Sequence, residues 1–234
     1  MKIDKFIAST GIMSRRKAIE AIRQKRITIN NKPAKPNAEV KQGDVVKVGA
    51  EEIKLNKEAA VYIAYNKPKG IICTSEKIEG NIIDAVNHPA SIYPVGRLDK
   101  DSEGLILLTN NGELNNRITH PDFEHEKEYV VTLNLPVRKK FLDEIQQGVE
   151  LNDSKTMPCI AWPEPGTKRV FRIVLKQGLN RQIRRMCNMY RYQVVKLQRV
   201  RVMNIELGKL NSGAWRNLDE NEINELLIKT NIIN

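Results

Sequence analysis

Cysteine is scarce in this chain of 234 residues, and its few positions exclude two kinds of architecture. Cys73, Cys159 and Cys187 are far apart and form no C-x-x-C pair. This spacing indicates neither a disulfide framework nor a zinc site, and it is typical of a protein of the reducing cytosol. The histidines are equally scattered and lack metal-ligand spacing, so we expect no metal site.

Long hydrophobic runs are also missing. No segment approaches the ~18 consecutive apolar residues that a membrane-spanning helix needs. The N-terminal residues 1–6 do not begin a signal peptide, because no sufficiently long apolar core follows them. We therefore expect a soluble, cytoplasmic protein that does not bind membranes. Nothing in the sequence indicates an obligate dimer, so a monomer is expected.

Acidic residues are in the minority, since 28 Asp and Glu stand against 39 Lys and Arg, which leaves a net charge of +11. Residues 1–60 contain 14 Lys and Arg and 7 Asp and Glu, so this quarter of the chain carries +7 of that charge. Such a balance favours a polyanionic partner, whose phosphates release counterions on binding. An acidic membrane is a weaker explanation, because no long helix face combines these cations with Trp, Phe or Leu.

Two short helices are predicted in this basic region. The first covers residues 2–9 and ends at Gly11, and the second is capped by Ser14 and runs over residues 15–24. The residues expected to form the buried stripe of the second helix are Ala18, Ile19 and Ile22.

Arg15, Arg16 and Lys17 occupy the first turn of the second predicted helix, where the helix dipole favours anions. Phosphates at this helix start would compensate both the dipole and the mutual repulsion of the cations. The alternative is an ordinary solvated basic face.

A tight strand pair is predicted after these helices, with a strand at 27–29, a turn at 30–33 and a second strand at 45–48. Together with the helices, Ser14-Arg15-Arg16 and Ile29-Asn30-Asn31-Lys32 resemble the S4 RNA-binding module. The polar segment 51–58 is interpreted as the linker region. The predicted organisation is an S4-like domain at 1–55, a linker at 56–60 and a catalytic domain at 61–234.

The remainder of the chain alternates strand-like and helical segments without a regular βαβ rhythm. Strands are predicted at 61–65, 129–133, 170–176, 194–197 and 200–207. Helices are predicted at 138–147, 180–191 and 219–229, the last opened by a capping box of Asp219 and Glu222. We expect an α+β fold with a mixed, largely antiparallel sheet.

Asp99 lies between basic neighbours just before an apolar run, so it is either a partner in a loop salt bridge or a reactive group. Composition alone favours the salt bridge. Asp99, Asp101, Glu103 and Gly104 approximate the first half of a calcium-binding loop. Asn110, however, stands where that loop requires a bidentate carboxylate, so calcium is not expected.

The helix predicted at 180–191 carries two different faces. Its core face is expected to consist of Ile183, Met186, Cys187 and Tyr190. Arg181, Arg184 and Arg185 share another face, where like charges destabilise a helix. This face needs an anion, which is either RNA phosphate, solvent counterions or a carboxylate such as Asp99.

Four motifs in a fixed order resemble those of the RsuA branch of pseudouridine synthases. They are Asn66-Lys67-Pro68-Lys69-Gly70, Gly96-Arg97-Leu98-Asp99 with Ser102-Glu103-Gly104-Leu105, Lys127-Glu128-Tyr129, and Gly178-Leu179-Asn180-Arg181-Gln182-Ile183-Arg184-Arg185-Met186. With the S4-like module in front, the resemblance covers essentially the whole chain. Within the branch, residues 99–102, 125–129 and 180–187 look closest to the RluF type, which acts on large-subunit (23S) ribosomal RNA.

The resemblance implies that uridine in RNA is isomerised to pseudouridine, with the glycosidic bond moving from N1 to C5, without a cofactor or a metal. Asp99 matches the catalytic aspartate of the family, which either attacks C1′ or takes a proton from C2′ of the ribose. Tyr129 matches the tyrosine that stacks on the target base, with a plain aromatic at a strand start as the alternative. Arg184 matches the arginine that pairs with the aspartate, and we expect this pair to orient the Asp99 carboxylate.

The target base must leave its stack, so backbone contacts have to hold the RNA while one nucleotide flips. The expected partner is ribosomal RNA or a pre-ribosomal particle. Predicted RNA contacts around the site are Lys67, Lys69, Arg97, Lys100, Arg181 and Arg185. Those in the S4-like module are Ser14, Arg15, Arg16, Lys17 and Lys32. A plain surface position is the alternative for each of them.

Two other functions remain open at this point. A non-catalytic RNA-binding or ribosome-assembly factor would explain the charge but not the joint presence of Asp99, Tyr129 and Arg184. A metal-dependent hydrolase would have to use Asp99, Asp101 and Glu103.

Overall fold

The computed structural model describes residues 1–10, 12, 13, 15–53 and 59–233, and the chain divides into two compact units, Met1–Ala59 and Ala60–Asn234. The helix end predicted at Gly11 and the cap predicted at Ser14 lie outside the described residues. Residues 54–58, which include most of the predicted linker, lie outside them as well.

The first unit combines two helices with a small antiparallel sheet. Its elements are α1 (Ile3–Ser9), α2 (Arg15–Arg23), β1 (Ile27–Ile29), β2 (Lys32–Pro33), β3 (Val46–Val48) and β4 (Glu51–Ile53). The strand order is β2-β1-β3-β4. Asn30 and Asn31 both have positive φ, which is the conformation that a two-residue hairpin turn between β1 and β2 requires.

Two expectations for this unit are wrong. Ile19 is 38% exposed, and Ala21 instead joins Ala18 and Ile22 in the core, because positions three and four apart share a helix face. The start of the predicted linker region is strand β4, in which Ile53 fills the core and pairs with Val46.

The second unit is built on a nine-stranded sheet. The strands of the unit, which include two outside this sheet, are β5 (Tyr62–Lys67), β6 (Tyr93–Val95), β7 (Glu103–Thr109), β8 (Lys127–Leu133), β9 (Glu150–Leu151), β10 (Ser154–Lys155), β11 (Ile160–Pro163), β12 (Val170–Leu175), β13 (Val194–Val202), β14 (Ile205–Glu206) and β15 (Trp215–Asn217). Its helices are α3 (Ile82–Val86), α4 (Gly112–Thr119), α5 (Lys139–Gln146), α6 (Gln182–Met189) and α7 (Glu220–Lys229), with a 3-10 turn at Pro121–Phe123.

The main sheet follows the order β11-β12-β8-β13-β7-β5-β15, with β14 beside β13 and β6 beside β7, while β9 and β10 form a separate hairpin. The pairings are antiparallel except for β13 with β7, which run parallel. The predicted α+β fold with a largely antiparallel sheet is confirmed.

Strand β7 is central, and its core residues face both sides of the sheet. Leu105 and Leu107 pack with α4 and α7, whereas Ile106 and Leu108 pack with α3. Sequence patterns did not identify this strand, because a run buried on both faces shows no alternation of polar and apolar residues. At its start, a Cβ on Gly104 would lie 2.2 Å from the main-chain oxygen of Arg199, so glycine is what lets β7 approach β13.

Several predicted elements of this unit agree with the structure, and two predicted strands do not. The capping box of Asp219 and Glu222 opens α7 as expected. The two strands predicted at 194–197 and 200–207 are wrong, because 194–202 form the single strand β13 and β14 follows separately. In the described part of the chain, no helix is both long and apolar enough to cross a bilayer.

Candidate active site and RNA-binding residues

Asp99 lies in the turn between β6 and β7, beside the centre of the sheet. Its residue is partly buried, and its main-chain oxygen accepts a hydrogen bond of 3.0 Å from the amide of Ser102. The neighbouring Leu98 is buried in the cluster that also contains residues of β5 and β7. A rigid strand and a buried side chain therefore set the position of the turn that presents the carboxylate.

The segment that follows β5 holds this turn on both sides of Asp99. The amide of Gly70 donates to the main-chain oxygen of Lys100 at 2.8 Å. The amide of Leu98 donates to the Sγ atom of Cys73 at 3.4 Å. The motif around residues 66–70 and the motif around Asp99 thus form one structural unit.

Lys67 does not fit its predicted role as an RNA contact. The residue is 0% exposed, and Nζ donates to the main-chain oxygens of Pro68 (2.9 Å) and Ile71 (3.0 Å). Because the ammonium is enclosed and bonded to carbonyl groups, it cannot reach a phosphate. The interpretation of Lys67 as an RNA contact is wrong, and the residue instead stabilises the turn at 68–71.

The buried charge of Lys67 lies within electrostatic reach of acidic side chains of the site. Burial lowers the pKa of the Lys67 ammonium, while Cys73, Asp99 and Glu103 oppose this shift. Lys67, which the sequence analysis places at the surface, therefore contributes positive charge near Asp99 from a buried position.

Arg184 does not form the expected ion pair with Asp99. Its Nη1 donates to the main-chain oxygen of Val194 and its Nη2 to that of Asp101, both at 3.1 Å. Among the described residues, the buried Nε has no hydrogen-bond partner, and no carboxylate lies within 4.0 Å of the guanidinium. The arginine is fixed by main-chain oxygens from β13 and from the Asp99 turn, so it supports the turn rather than the carboxylate itself.

The other two arginines of this face have carboxylate partners. Arg181 precedes α6 with a φ of 49°, and its Nη1 lies 3.7 Å from Oδ2 of Asp101. Arg185 binds Asp153 in the β9–β10 hairpin, and this contact lowers the pKa of the Asp153 carboxyl. The anion that the sequence required at this face is therefore present in the fold, but it comes from Asp101 and Asp153 instead of Asp99.

Tyr129 lies on β8, opposite Ile173 of β12 and Arg199 of β13. It is partly buried and packs against two hydrophobic clusters, one built on α5 and α6 and one that contains Leu98 and Cys73. The second cluster is the one that supports the Asp99 turn, so the fold brings Tyr129 and Asp99 to the same region.

Three predicted RNA contacts near Asp99 are exposed, namely Lys69, Arg97 and Lys100. Arg97 and Lys100 flank Asp99 in the turn, and Lys69 lies in the segment that holds it. Their positions allow contact with an anionic ligand over the site.

In the first unit, Arg15, Arg16, Lys17 and Lys32 are exposed, while Ser14 lies outside the described residues. Arg15 binds the buried Asp4. Burial by itself raises the pKa of the Asp4 carboxyl, but the hydrogen bond and charge of Arg15 outweigh it, so the net shift is downward. Part of the charge of Arg15 is thereby used within the fold.

Two cationic residues of the site were missed by sequence reasoning. Arg199 is 3% exposed, and its Nε donates to the main-chain oxygen of Leu105 at 2.7 Å. Lys127 donates to the main-chain oxygen of His125, and burial, followed by the charge of Arg199, lowers its pKa to about 8. The single sequence signal for Lys127 was its place in the motif of Tyr129.

The described residues contain no group of three or more His, Cys, Asp or Glu side chains arranged to hold a metal ion. This finding covers Asp99, Asp101 and Glu103, the carboxylates that a metal-dependent hydrolase would have to use.

Comparisons with known proteins agree with this architecture. The RNA pseudouridylate synthase family matches residues 61–189, and the S4 domain matches residues 1–46. The dual-specificity RNA pseudouridine synthase RluF of Escherichia coli K12 is 45% identical over 97% of this chain and 78% of its own length. The ribosomal large subunit pseudouridine synthase B of Bacillus subtilis is 32% identical over 96% of this chain and 95% of its own length. A crystal structure of a pseudouridylate synthase superposes with a TM-score of 0.71 at 30% identity, over 97% of this chain and 99% of the other.

Proposed function

Since the chain belongs to the RNA pseudouridine synthase family and begins with an S4 domain, we propose that it isomerises one specific uridine of ribosomal RNA to pseudouridine. We further propose large-subunit (23S) RNA as the substrate. This is supported by the relatives, one of which is a ribosomal large subunit enzyme by name. Action on this RNA implies a cytoplasmic location.

The observation that carries the proposal is the construction of the Asp99 turn. The amides of Leu98 and Ser102 are both engaged, and the carbonyl of Lys100 is bound by Gly70, so the main chain on both sides of Asp99 is fixed. The main-chain position from which its carboxylate extends is therefore set before substrate arrives. Such preorganisation is the means by which a single charged group contributes to catalysis.

Asp99 is the proposed catalytic carboxylate. Isomerisation breaks the bond between N1 of the base and C1′, forms a bond between C5 and C1′, removes the proton from C5 and places a proton on N1. These steps balance without an oxidant or reductant. An anion near C1′ is complementary to the positive charge that develops as the base departs, whether the carboxylate attacks C1′ or takes a proton from C2′.

Tyr129 is proposed to stack on the detached uracil and to assist removal of the C5 proton. Its ring lies partly buried against the cluster that supports the Asp99 turn, so it can form one wall of a pocket for a flipped base. Base flipping is required because C1′ and C5 are both inaccessible within a stacked helix.

Arg184 is proposed to act by holding the Asp99 turn through the Asp101 carbonyl and by contributing positive charge to the site. RNA backbone contacts are proposed for Lys69, Arg97, Lys100 and Arg181 around the site, and for Arg15, Arg16, Lys17 and Lys32 in the S4 domain. Ser14 and Arg185 remain proposed contacts, although Arg185 is engaged by Asp153 in the free protein.

The test incubates purified protein with unmodified 23S ribosomal RNA in the presence of a strong chelator. Pseudouridine is then mapped along the RNA product. We expect conversion at one position, and we expect Asp99→Asn to lower the rate by at least about 10³-fold while the dissociation constant for RNA changes less than about twofold. The matched control is Asp122→Asn, which removes an exposed carboxylate in the 3-10 turn to which no role in the reaction is assigned. Full activity of Asp99→Asn would refute the assignment of the carboxylate. Binding without isomerisation of any ribosomal RNA fragment would instead support a non-catalytic assembly factor.

A further inference from the structure

The Asp101 carboxylate lies where an anionic ligand of Arg181 is expected. Its Oδ2 is 3.7 Å from Nη1 of Arg181, and the two side chains are 56% and 45% exposed. An ion pair with this separation and exposure contributes little to stability, so an incoming anion can displace it at low cost.

Without the carboxylates of Asp101 and Asp153, the region around Arg181 would carry only positive side-chain charge from the three arginines. The first turn of α6 contains no acidic residue, and Arg181, Arg184 and Arg185 lie at this end of the helix. Asp101 partners Arg181 and Asp153 partners Arg185, so each carboxylate compensates one guanidinium from outside the helix. The fold thus supplies two internal anions to a face whose charge and helix dipole both favour phosphate.

Asp101 differs from Asp153 in also belonging to the Asp99 turn. Its main-chain oxygen accepts from Arg184, whereas its side chain reaches Arg181. The side chain can therefore leave Arg181 while the carbonyl contact that supports the turn stays in place.

We propose that the Asp101 carboxylate occupies the position of an RNA phosphate at Arg181 in the free enzyme and is displaced when substrate RNA binds. Asp101 is then a residue that limits affinity, because each RNA must replace an internal anion before it gains the contact with Arg181. This inference rests on the proposed function in one respect, namely that the ligand is RNA.

The experiment measures the equilibrium binding of a 23S ribosomal RNA fragment by Asp101→Asn, Arg181→Gln and the double variant, over a series of salt concentrations. Asparagine keeps the shape of the side chain and the main-chain carbonyl but removes the charge. We expect Asp101→Asn to bind RNA roughly two- to fivefold more tightly, as the loss of a weak exposed pair implies. The slope of log K against log salt should become steeper by about 0.7, the value for one further phosphate contact with single-stranded RNA.

A double-mutant cycle separates this effect from the general gain of one positive charge. In the Arg181→Gln background, Asp101→Asn should change neither the affinity nor the salt slope. The matched control is Glu113→Gln, which makes the same change of net charge at an exposed residue of α4 and should leave the slope as in the wild type.

The kinetic readout is the division of the effect between KM and kcat. A lower KM for Asp101→Asn supports displacement by phosphate. The proposal would be overturned if Asp101→Asn bound RNA more weakly, left the salt slope unchanged, or had an equal effect in the Arg181→Gln background. A fall in kcat at unchanged KM would also overturn it, because it would indicate that the carboxylate orients the Asp99 turn. Because RNA binding and isomerisation are separate readouts, an enzyme that binds RNA with the expected Asp101 effect but isomerises nothing would refute the proposed function and leave this inference intact.

Discussion

Arg184 donates a hydrogen bond of 3.1 Å from Nη2 to the main-chain oxygen of Asp101, two residues beyond Asp99. The same guanidinium binds the main-chain oxygen of Val194 at the start of β13. Arg184 therefore connects α6, the main sheet and the Asp99 turn, and it does so through main-chain groups.

Arg184→Lys should lower the rate of isomerisation by about tenfold or more, because one ammonium cannot bind the carbonyls of Asp101 and Val194 with the fork geometry of a guanidinium. Single-turnover rates at saturating protein separate this loss from any change in RNA binding. A thermal unfolding midpoint shows whether the variant is folded at the assay temperature. A folded lysine variant with the wild-type rate would show that the connection does not matter for the chemistry.

Lys67→Met and Lys69→Met should differ sharply in stability and in RNA binding, although the two positions are only two residues apart in the same motif. Lys67→Met leaves the main-chain oxygens of Pro68 and Ile71 without their donor, so we expect the free energy of unfolding to fall by about 1–3 kcal/mol. Lys69 is exposed, so Lys69→Met should change stability by less than about 0.5 kcal/mol and make the salt dependence of RNA binding shallower by about 0.7. Urea unfolding measures the change in stability, and RNA titration over a series of salt concentrations measures the change in slope. An equal change of salt slope in the two variants would contradict the inference that Lys67 is too deeply buried to contact RNA.

Gly104→Ala should destabilise the protein by about 3 kcal/mol or more. The new methyl group would overlap the main-chain oxygen of Arg199, and the φ of 102° is unfavourable for a residue with a Cβ. Gly178→Ala is the matched control, because a Cβ there meets nothing within 4 Å and its φ is not in the left-handed region. Chemical denaturation of both variants measures the difference, and similar losses at the two positions would argue against the close approach of β7 and β13.

The pKa of Lys127 predicts a specific pH dependence of stability. Burial and then the charge of Arg199 lower this pKa from 10.5 to about 8, so between these values the unfolded chain binds more protons than the folded one. The contribution of Lys127 to the free energy of unfolding must therefore rise with pH in this window, by at most about 3 kcal/mol. Compared with wild type, Lys127→Met should be relatively most stable near pH 7 and lose this advantage towards pH 10. Urea unfolding at intervals of one pH unit tests this, and a difference that does not change with pH would count against the shifted pKa.

The elements that sequence patterns predicted best depend on neighbouring residues. The helix opened by Asp219 has its capping box because Asp219 and Glu222 are three positions apart, and no distant contact is needed. The sequence predicts two strands in place of β13 because Gln198 and Arg199 interrupt its apolar run, yet Arg199 is buried there and donates to the main-chain oxygen of Leu105. A polar residue that finds a distant partner cannot be distinguished locally from one that ends a strand.

The sequence by itself determined the family, the α+β class, the S4 domain and the order of the motifs that surround Asp99, because these depend on which chemical groups occur at which spacing. Only the tertiary structure decided that Lys67 is buried and which oxygen atoms each arginine binds. Arg184 and Asp101 are 83 positions apart in the chain, and Arg185 and Asp153 are 32 apart. Such pairs form when the sheet brings separate turns together, and electrostatic attraction is then satisfied by the nearest oxygen rather than by the one that a motif suggests.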